Sequence, residues 1–113
     1  MPQYAVFMYE VETPGGADDI PPDVMEGHMT MPDLVAEQGG RIFAGLAFEP
    51  ASASTAVRGD VITDGPFIES KEAIAGIYLL EARDLDHALE LVKMTPIMSG
   101  GVEVRPQFDF QVT

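Results

Sequence analysis

The side chains of this sequence that are best suited to chemistry are concentrated in one short polar run, TDGPFIESKE, near the middle of the chain. In this run Asp64 precedes a Gly-Pro pair, and Glu69, Lys71 and Glu72 follow as a dense charged cluster. A lysine among carboxylates is held in its charged form and is suited to pairing with an anion. We therefore expect Lys71, Glu69 and Glu72 to bind a ligand. The structural alternative is an exposed ion-pair patch that contributes little to stability.

His28 is the second candidate for chemistry, because an unperturbed imidazole has a pKa of about 6.5 and carries protons at neutral pH. As a catalyst, His28 would act as a general base, and it would need a carboxylate such as Asp64 to orient it. Each residue also has a structural interpretation. His28 lies at helical spacing from Met31 and Val35, which is compatible with core packing, and Asp-Gly is a common loop dipeptide.

The composition excludes several classes of function. The chain has no cysteine, and its two histidines have no recognisable ligand spacing, so we expect no metal and no cofactor. Nineteen acidic against six basic residues give a formal net charge of −13, which argues against direct nucleic-acid binding. No run of about 18 apolar residues and no signal-like start is visible. We therefore expect one cytoplasmic domain over residues 1–113 that does not enter a membrane.

The elements that must position these residues follow from the apolar periodicity. The predicted order is a strand at 4–11, a helix at 22–38, a strand at 41–48, a hairpin with strands at 55–58 and 61–63, a strand at 73–81, a helix capped by Asp84, and a strand at 102–112. Two β-α-β units joined through a hairpin predict an α+β ferredoxin-like sandwich with both helices on one face of the sheet. Strands that are apolar on both sides predict a homodimer that covers the other face.

Local signals refine this prediction at the helices. Pro32 should kink or split the first helix, and the glycine pair at 39–40 should end it. In the second helix the spacing predicts a buried stripe that leaves His87 facing solvent. The members of that stripe are Leu85, Ala88, Leu89 and Val92.

Two further signals concern the central turn and the last strand. Gly65 should adopt a positive φ, and Phe67 should bury its ring and anchor the turn. Pro106 predicts an edge strand or a bulge. Alternation from residue 102 to residue 112 predicts one apolar face, formed by Val102, Val104, Phe108, Phe110 and Val112.

The run TDGPFIESKE, followed by Gly76-Ile-Tyr, Leu85-Asp-His-Ala-Leu89, Pro96 and Val102-Glu-Val-Arg-Pro106, resembles the DGPF-domain branch of the YCII-related family. The resemblance covers about residues 4–106. It implies a ferredoxin-like, dimeric α+β barrel with a cavity in which a histidine and an aspartate form an acid/base pair. Asp64 matches the aspartate of DGPF, and His28 lies roughly where relatives place a histidine early in the first helix.

The same resemblance leaves two functions open. Some members look like small lyases or dehydrohalogenases, which implies a metal-independent, cofactor-free lyase or hydrolase that acts on a small polar or anionic molecule. DGPF members also often accompany extracytoplasmic-function sigma factors. The alternative is therefore a non-catalytic ligand sensor or protein-interaction module with a sigma factor as partner.

Overall fold

The computed structural model describes residues 1–108 and shows an α+β architecture with two antiparallel sheets and two α-helices. The elements are β1 (Gln3–Val11), α1 (Pro22–Glu37), β2 (Arg41–Ala47), β3 (Thr55–Arg58), β4 (Val61–Asp64), β5 (Glu72–Glu81), α2 (Leu85–Val92) and β6 (Gly101–Pro106). Short 3₁₀ turns lie at Gly16–Asp19 and Ala51–Ala53. The order of strands and helices is the predicted one.

The main sheet has the strand order β2-β5-β1-β6, and every neighbouring pair is antiparallel. This order is compatible with the ferredoxin-like sandwich. The first strands of the two β-α-β units, β1 and β5, are the central pair, and each second strand, β2 or β6, lies at an edge beside the first strand of the other unit. β6 is an edge strand that ends at Pro106, which confirms the edge position predicted from the proline. β3 and β4 form a separate two-stranded sheet around Gly59, whose φ is 60°, as the hairpin prediction required.

The core lies between one face of the main sheet and the two helices. Val6 and Leu80 from the central strands and Val35 and Leu91 from the helices are fully buried, and each contributes about 1.5–3 kcal/mol of transfer free energy. The remaining buried apolar residues are Tyr4, Met31, Tyr78, Ala82, Ala88 and Val92. Both helices therefore cover the same face, as predicted. Neither helix within residues 1–108 is long and apolar enough to cross a membrane.

Helix α1 narrows one prediction and confirms another. It runs from Pro22 to Glu37 with Pro32 inside it, so of the kink or split predicted at Pro32 the split does not occur. Pro32 removes one N–H from the helical ladder and its ring crowds the preceding turn, but the burial of Met31 and Val35 holds the neighbouring turns against the sheet. The helix ends at the predicted glycines in a Schellman motif. Gly39 has a φ of 85°, and the Gly40 N–H donates to the Val35 carbonyl at 3.1 Å.

Helix α2 begins at the predicted cap but buries a different face. The Asp84 carboxylate accepts a hydrogen bond from the backbone N–H of His87 at 2.8 Å. Leu85 and Leu89 are exposed, whereas His87, Ala88, Leu91 and Val92 are buried, so the predicted stripe was wrong by part of a turn. The prediction that His87 faces solvent was wrong for the same reason.

The last strand agrees with the prediction only in its first half. Val102 and Val104 pack against the core, but β6 ends at Pro106, next to the start of β1, where the Gln107 N–H still donates to the Gln3 carbonyl at 3.0 Å. Phe108 lies beyond the strand and is 82% exposed, so its predicted place on the apolar face was wrong. The predicted positions of Phe110 and Val112 lie outside the described residues.

Candidate functional site

The polar run and the start of α1 lie at the same end of the main sheet. β1 ends and β5 begins there, since Val11 pairs with Glu72. β2 ends there too, with Ala47 opposite Gly76. The β3–β4 hairpin and the segment that follows it are inserted between β2 and β5 at this end, and the loop after β1 leads from the same end into α1. The topology therefore gathers the predicted residues at one end of the sheet.

The central turn has the predicted backbone. Asp64 is the last residue of β4 and lies opposite Thr55. Gly65 follows with a φ of 97°, and its N–H donates to the Ser54 carbonyl at 2.7 Å, which closes the base of the hairpin. A Cβ at Gly65 would meet no atom within 4 Å. Glycine is therefore required there by backbone conformation rather than by space.

Phe67 does not anchor the turn by burial, and that prediction was wrong. Its ring is 54% exposed and lies under the guanidinium of Arg58, with Arg58 Cζ at 4.1 Å from the ring centroid. The ring stacks on a cation because the hairpin is a separate two-stranded sheet with no apolar layer of the core beneath it. An exposed cation–π pair of this kind contributes about 0.5–1 kcal/mol. The segment after β4 therefore folds back along the hairpin toward Arg58.

The charged cluster of the run is exposed and unpaired. Asp64, Glu69, Lys71 and Glu72 are all exposed, and Glu72 opens β5. Within residues 1–108, ion pairs form at Arg41–Glu81, Lys93–Glu90 and Arg105–Glu103. Neither Lys71 nor Arg58 has a carboxylate oxygen within 4.0 Å in this part of the chain. Two cations thus lie near the turn with free charge in a strongly acidic chain.

His28 is half-buried on α1, and its ring has no hydrogen-bond partner among the described residues. Pro32 lacks the N–H that would otherwise bond to the His28 carbonyl. No hydrogen bond joins His28 to Asp64 within the described protomer. The two residues of the proposed acid/base pair therefore lie at one end of the sheet without forming the pair in a single chain.

Glu10 accepts four hydrogen bonds at this end of the sheet, although its sequence signal is limited to an acidic residue in an apolar strand. Its carboxylate accepts hydrogen bonds from the backbone N–H groups of Met98, Ser99 and Gly100 at 2.8–3.1 Å and from the Ser99 hydroxyl at 2.9 Å. Burial raises the pKa of Glu10, but these hydrogen bonds outweigh burial and the pKa is lowered. The ionised carboxylate of Glu10 therefore holds the loop before β6 in place.

A shallow open hollow of about 280 Å³ lies beside the first 3₁₀ turn, lined by residues 14–18 with Glu49 and Pro50. None of the predicted site residues lines it, and its own side chains are acidic or small. No group of three or more His, Cys, Asp or Glu side chains within residues 1–108 is arranged to hold a metal ion. The hollow therefore adds no donor set to the site.

Comparison with known proteins gives matches over most of the chain. A family model described as the YCII-related domain matches residues 3–111, which include every strand and helix described above. The uncharacterized protein R00369 of Rhizobium meliloti (strain 1021) is 33% identical over 94 residues, and the match covers 72% of this chain and 75% of the relative. Its description assigns it no activity.

Proposed function

The chain belongs to the family of YCII-related domains, and on that premise we propose that it binds a small polar or anionic organic molecule beside His28, Asp64 and Lys71. The run TDGPFIESKE supports its placement in the DGPF branch of that family. The observation that carries the proposal is the free ammonium of Lys71, which has no carboxylate within 4.0 Å although Glu69 and Glu72 flank it in sequence. A cation left unpaired in a chain of net charge −13 is available to an anion.

The charge of the chain limits what this anion is. A surface with nineteen acidic residues repels polyanions over most of its area, so binding depends on local contacts at the turn. At 4 Å in water a single charge pair contributes about 1 kcal/mol. We therefore propose a small ligand with one carboxylate or similar group that binds Lys71. The remaining polar atoms of the ligand contact neighbouring side chains.

The catalytic form of the proposal is a cofactor-free proton transfer. Neutral His28 accepts a proton from the bound molecule, Asp64 orients the imidazolium that forms, and Lys71 stabilises the negative charge that develops. In a lyase the electron pair of the broken C–H bond forms the new double bond as the leaving group departs. In a hydrolase the same base takes the proton from water, the water oxygen forms the new bond as the scissile bond breaks, and the imidazolium returns the proton to the leaving group.

The proposal includes a homodimer formed through the uncovered face of the main sheet, as in a dimeric α+β barrel. Phe7, Ile77 and Leu79 alternate with core residues and lie on this face, together with Leu46, which is 63% exposed. The accessible surface of the chain is 7883 Å². A compact monomer of this mass exposes about 6,100 Å², so about 1,800 Å² is in excess. Each partner in a standard interface buries about 800 Å².

The second candidate function is a non-catalytic ligand sensor or protein-interaction module, with a sigma factor as the partner. The observation that favours it is the absence of a His28–Asp64 hydrogen bond in the described protomer, since an enzyme of the proposed kind needs its base oriented. The enzyme and the sensor share the ligand and differ in turnover, whereas a protein-interaction module needs no ligand.

The test uses a thermal-shift panel of simple anions, with acetate, malonate, pyruvate and inorganic phosphate as probes. A ligand present at about 100 times its Kd stabilises the folded state by about 2.7 kcal/mol. We expect at least one carboxylate to raise the Tm of the wild type and Lys71→Ala to lose the effect. Lys93→Ala is the matched control, because Lys93 is an exposed lysine that already pairs with Glu90 at 3.0 Å.

The outcomes separate the alternatives. Equal responses of Lys71→Ala and Lys93→Ala to every probe would contradict the proposed ligand site. For a probe that binds and is turned over, His28→Ala is expected to abolish turnover with little loss of affinity. For the sensor, the same substitution changes only affinity or stability. Light scattering at micromolar concentration tests the homodimer, and a stable monomer would contradict it.

A further inference from the structure

The β3–β4 hairpin is incomplete as a structural unit. It forms its own two-stranded sheet and is joined to no strand of the main sheet in the described part of the chain. An isolated two-stranded hairpin is marginally stable in water at best, and it needs a packed face to become independent. The contacts that stabilise this hairpin must therefore come in part from outside it.

The register shows which face of the hairpin is uncovered. Directly opposed residues of an antiparallel pair share a face. Arg58 and Val61 are one such pair, and Phe67 lies against Arg58, so the segment after β4 occupies that side. We call the opposite side the outer face of the hairpin. Its members are Thr55 with Asp64 and Val57 with Ile62.

The outer face is apolar at its centre and open to solvent. Val57 is 59% exposed and Ile62 is 70% exposed, although both lie within strands. Further exposed apolar side chains lie at the end of β2 and the start of β5, where the hairpin leaves the sheet. These are Leu46 at 63%, Phe48 at 46% and Ile74 at 41%. Apolar side chains are therefore exposed both on the outer face and at the end of the main sheet from which the hairpin extends.

The dimensions of the chain favour a second copy as the occupant. The radius of gyration is 15.2 Å. A compact domain of this length has about 13 Å. The excess surface of about 1,800 Å² per chain is more than twice what each partner of a standard interface buries, and the total of about 3,600 Å² for two chains falls in the range of obligate homodimers. The outer face of the hairpin and the uncovered face of the main sheet both offer exposed apolar side chains to an interface of that size.

We propose that the hairpin is an arm that packs its outer face against a second copy of the chain, and that it thereby presents Asp64 to the partner subunit rather than to its own α1. The inference rests on the homodimer of the proposed function and adds the element that reaches across. Asp64 lies on the outer face beside Ile62, so burial of that face carries its carboxylate into the interface. The arm gives a physical reason why no hydrogen bond joins His28 to Asp64 within one protomer.

The experiment measures thiol reactivity at single engineered positions, which is clean because the chain has no cysteine. Ile62→Cys reports on the outer face. Val61→Cys is the matched control, since the two positions are adjacent in β4, are 70% and 61% exposed, and lie on opposite faces. Both variants are reacted with a small maleimide above and below the concentration at which light scattering shows dissociation. Val57→Cys repeats the outer-face measurement if Ile62→Cys fails to fold.

We expect Ile62→Cys to react at least tenfold more slowly than Val61→Cys in the dimer and at a similar rate after dilution. Asp64→Cys should follow Ile62→Cys, with Asp60→Cys at the hairpin tip as its exposed control. A dimer in which Ile62→Cys and Val61→Cys react equally would overturn the arm and leave the dimer standing. A monomer at all concentrations would overturn both. Protection of Ile62→Cys that persists in a monomer would overturn the inference, because the chain would then cover its own hairpin. Reactive Asp64→Cys beside protected Ile62→Cys would overturn the delivery of Asp64.

Discussion

The seam where the end of α1 meets the start of α2 differs from the turn around Asp64 in how completely its polar atoms are satisfied. At the seam His87 is buried, its Nδ1 accepts the Arg83 N–H at 3.0 Å, and its Nε2 lies 2.8 Å from the Gln38 carbonyl. An acceptor role at Nδ1 fixes the neutral tautomer that donates from Nε2. At the turn, Asp64 and Lys71 are exposed, and their side chains form no hydrogen bond or ion pair within the described residues.

This difference separates structural polar residues from available ones. A buried polar side chain whose donors and acceptors are all hydrogen-bonded has none left for a ligand, and it contributes to structure through those bonds. No buried side-chain nitrogen or oxygen within residues 1–108 lacks a partner. The side chains of His28 and Lys71 have no such partners and are at least partly exposed, so a ligand or a second subunit can bind to their polar atoms. Residue type alone does not distinguish the two histidines as candidates for function. Their hydrogen-bond partners do, because the His87 ring has two partners and the His28 ring has none among the described residues.

The largest expected effect compares these two histidines. His87→Ala removes the ring that bridges Arg83 and Gln38, and we expect it to lower the free energy of unfolding by about 2–3 kcal/mol. His28→Ala breaks no hydrogen bond and should change stability by less than about 1 kcal/mol. Urea unfolding of both variants measures the difference. Equal destabilisation would mean that His28 is a packing residue, and the comparison between the two regions would fail.

The seam also shows what the sequence could predict and why the rest was out of reach. The cap at Asp84 and the stop at Gly39 depend on local backbone chemistry, and both were predicted correctly. The buried face of α2 depends on tertiary contacts. Apolar residues at 85, 88, 89, 91 and 92 cover more than one side of an eight-residue helix. The bond of His87 to Gln38, which lies 49 residues away in sequence, settles which side faces inward.

The candidate site divides in the same way. The positive φ of Gly65 is a local property and was predicted correctly, whereas the burial of Phe67 requires a core beneath the hairpin and was predicted wrongly. Periodicity could place β3 and β4 in a hairpin, but it could not show that this hairpin stays apart from the main sheet. The four backbone and hydroxyl bonds to Glu10 come from residues about 90 positions later, where no pattern in the sequence points to them.

The prediction of intermediate size compares two residues of the turn around Asp64, Gly65 and Phe67. Gly65→Ala forces a β-carbon into a φ of 97°, and we expect a loss of about 1–2 kcal/mol in the free energy of unfolding from backbone strain. Phe67→Ala removes a half-exposed ring and its contact with Arg58, and should cost about 0.5–1 kcal/mol. Glycine therefore matters more than phenylalanine, the reverse of what a buried ring would give.

Thermal unfolding of the two variants, with Asp64→Asn as an exposed control expected within about 0.5 kcal/mol of wild type, measures this order. A larger loss for Phe67→Ala than for Gly65→Ala at a concentration where the protein is monomeric would show that the ring is anchored within one chain. The turn would then resemble the seam. The same result only in the dimer would instead place Phe67 in the subunit interface.

The smallest expected effect concerns Glu10, whose carboxylate accepts four hydrogen bonds although it lies at the same end of the sheet as the turn around Asp64. It tests whether a polar residue is structural because its hydrogen bonds are satisfied or because of where it lies in the fold. Glu10→Gln turns one acceptor oxygen into a donor that faces a backbone N–H. Since the group is only partly buried, we expect a loss of about 1 kcal/mol at pH 7. The pKa of Glu10 is lowered from 4.5 in the folded state, so its contribution is complete above that value and disappears as the pH falls through the lowered folded pKa.

Urea unfolding at about pH 7 and about pH 3 should therefore show the advantage of wild type over Glu10→Gln shrinking in acid. Glu81, whose pKa the Arg41 guanidinium and the Gln3 amide lower to about 2, destabilises both proteins alike as the pH falls and cancels in the difference. Glu90→Gln is the control, because Glu90 has a single exposed partner in Lys93 and should show little difference from wild type at either pH. A pH-independent loss for Glu10→Gln would mean that shape rather than charge holds the loop. Glu10 would then belong to the structural class through packing, and hydrogen-bond saturation would no longer distinguish it from its exposed neighbours at the turn.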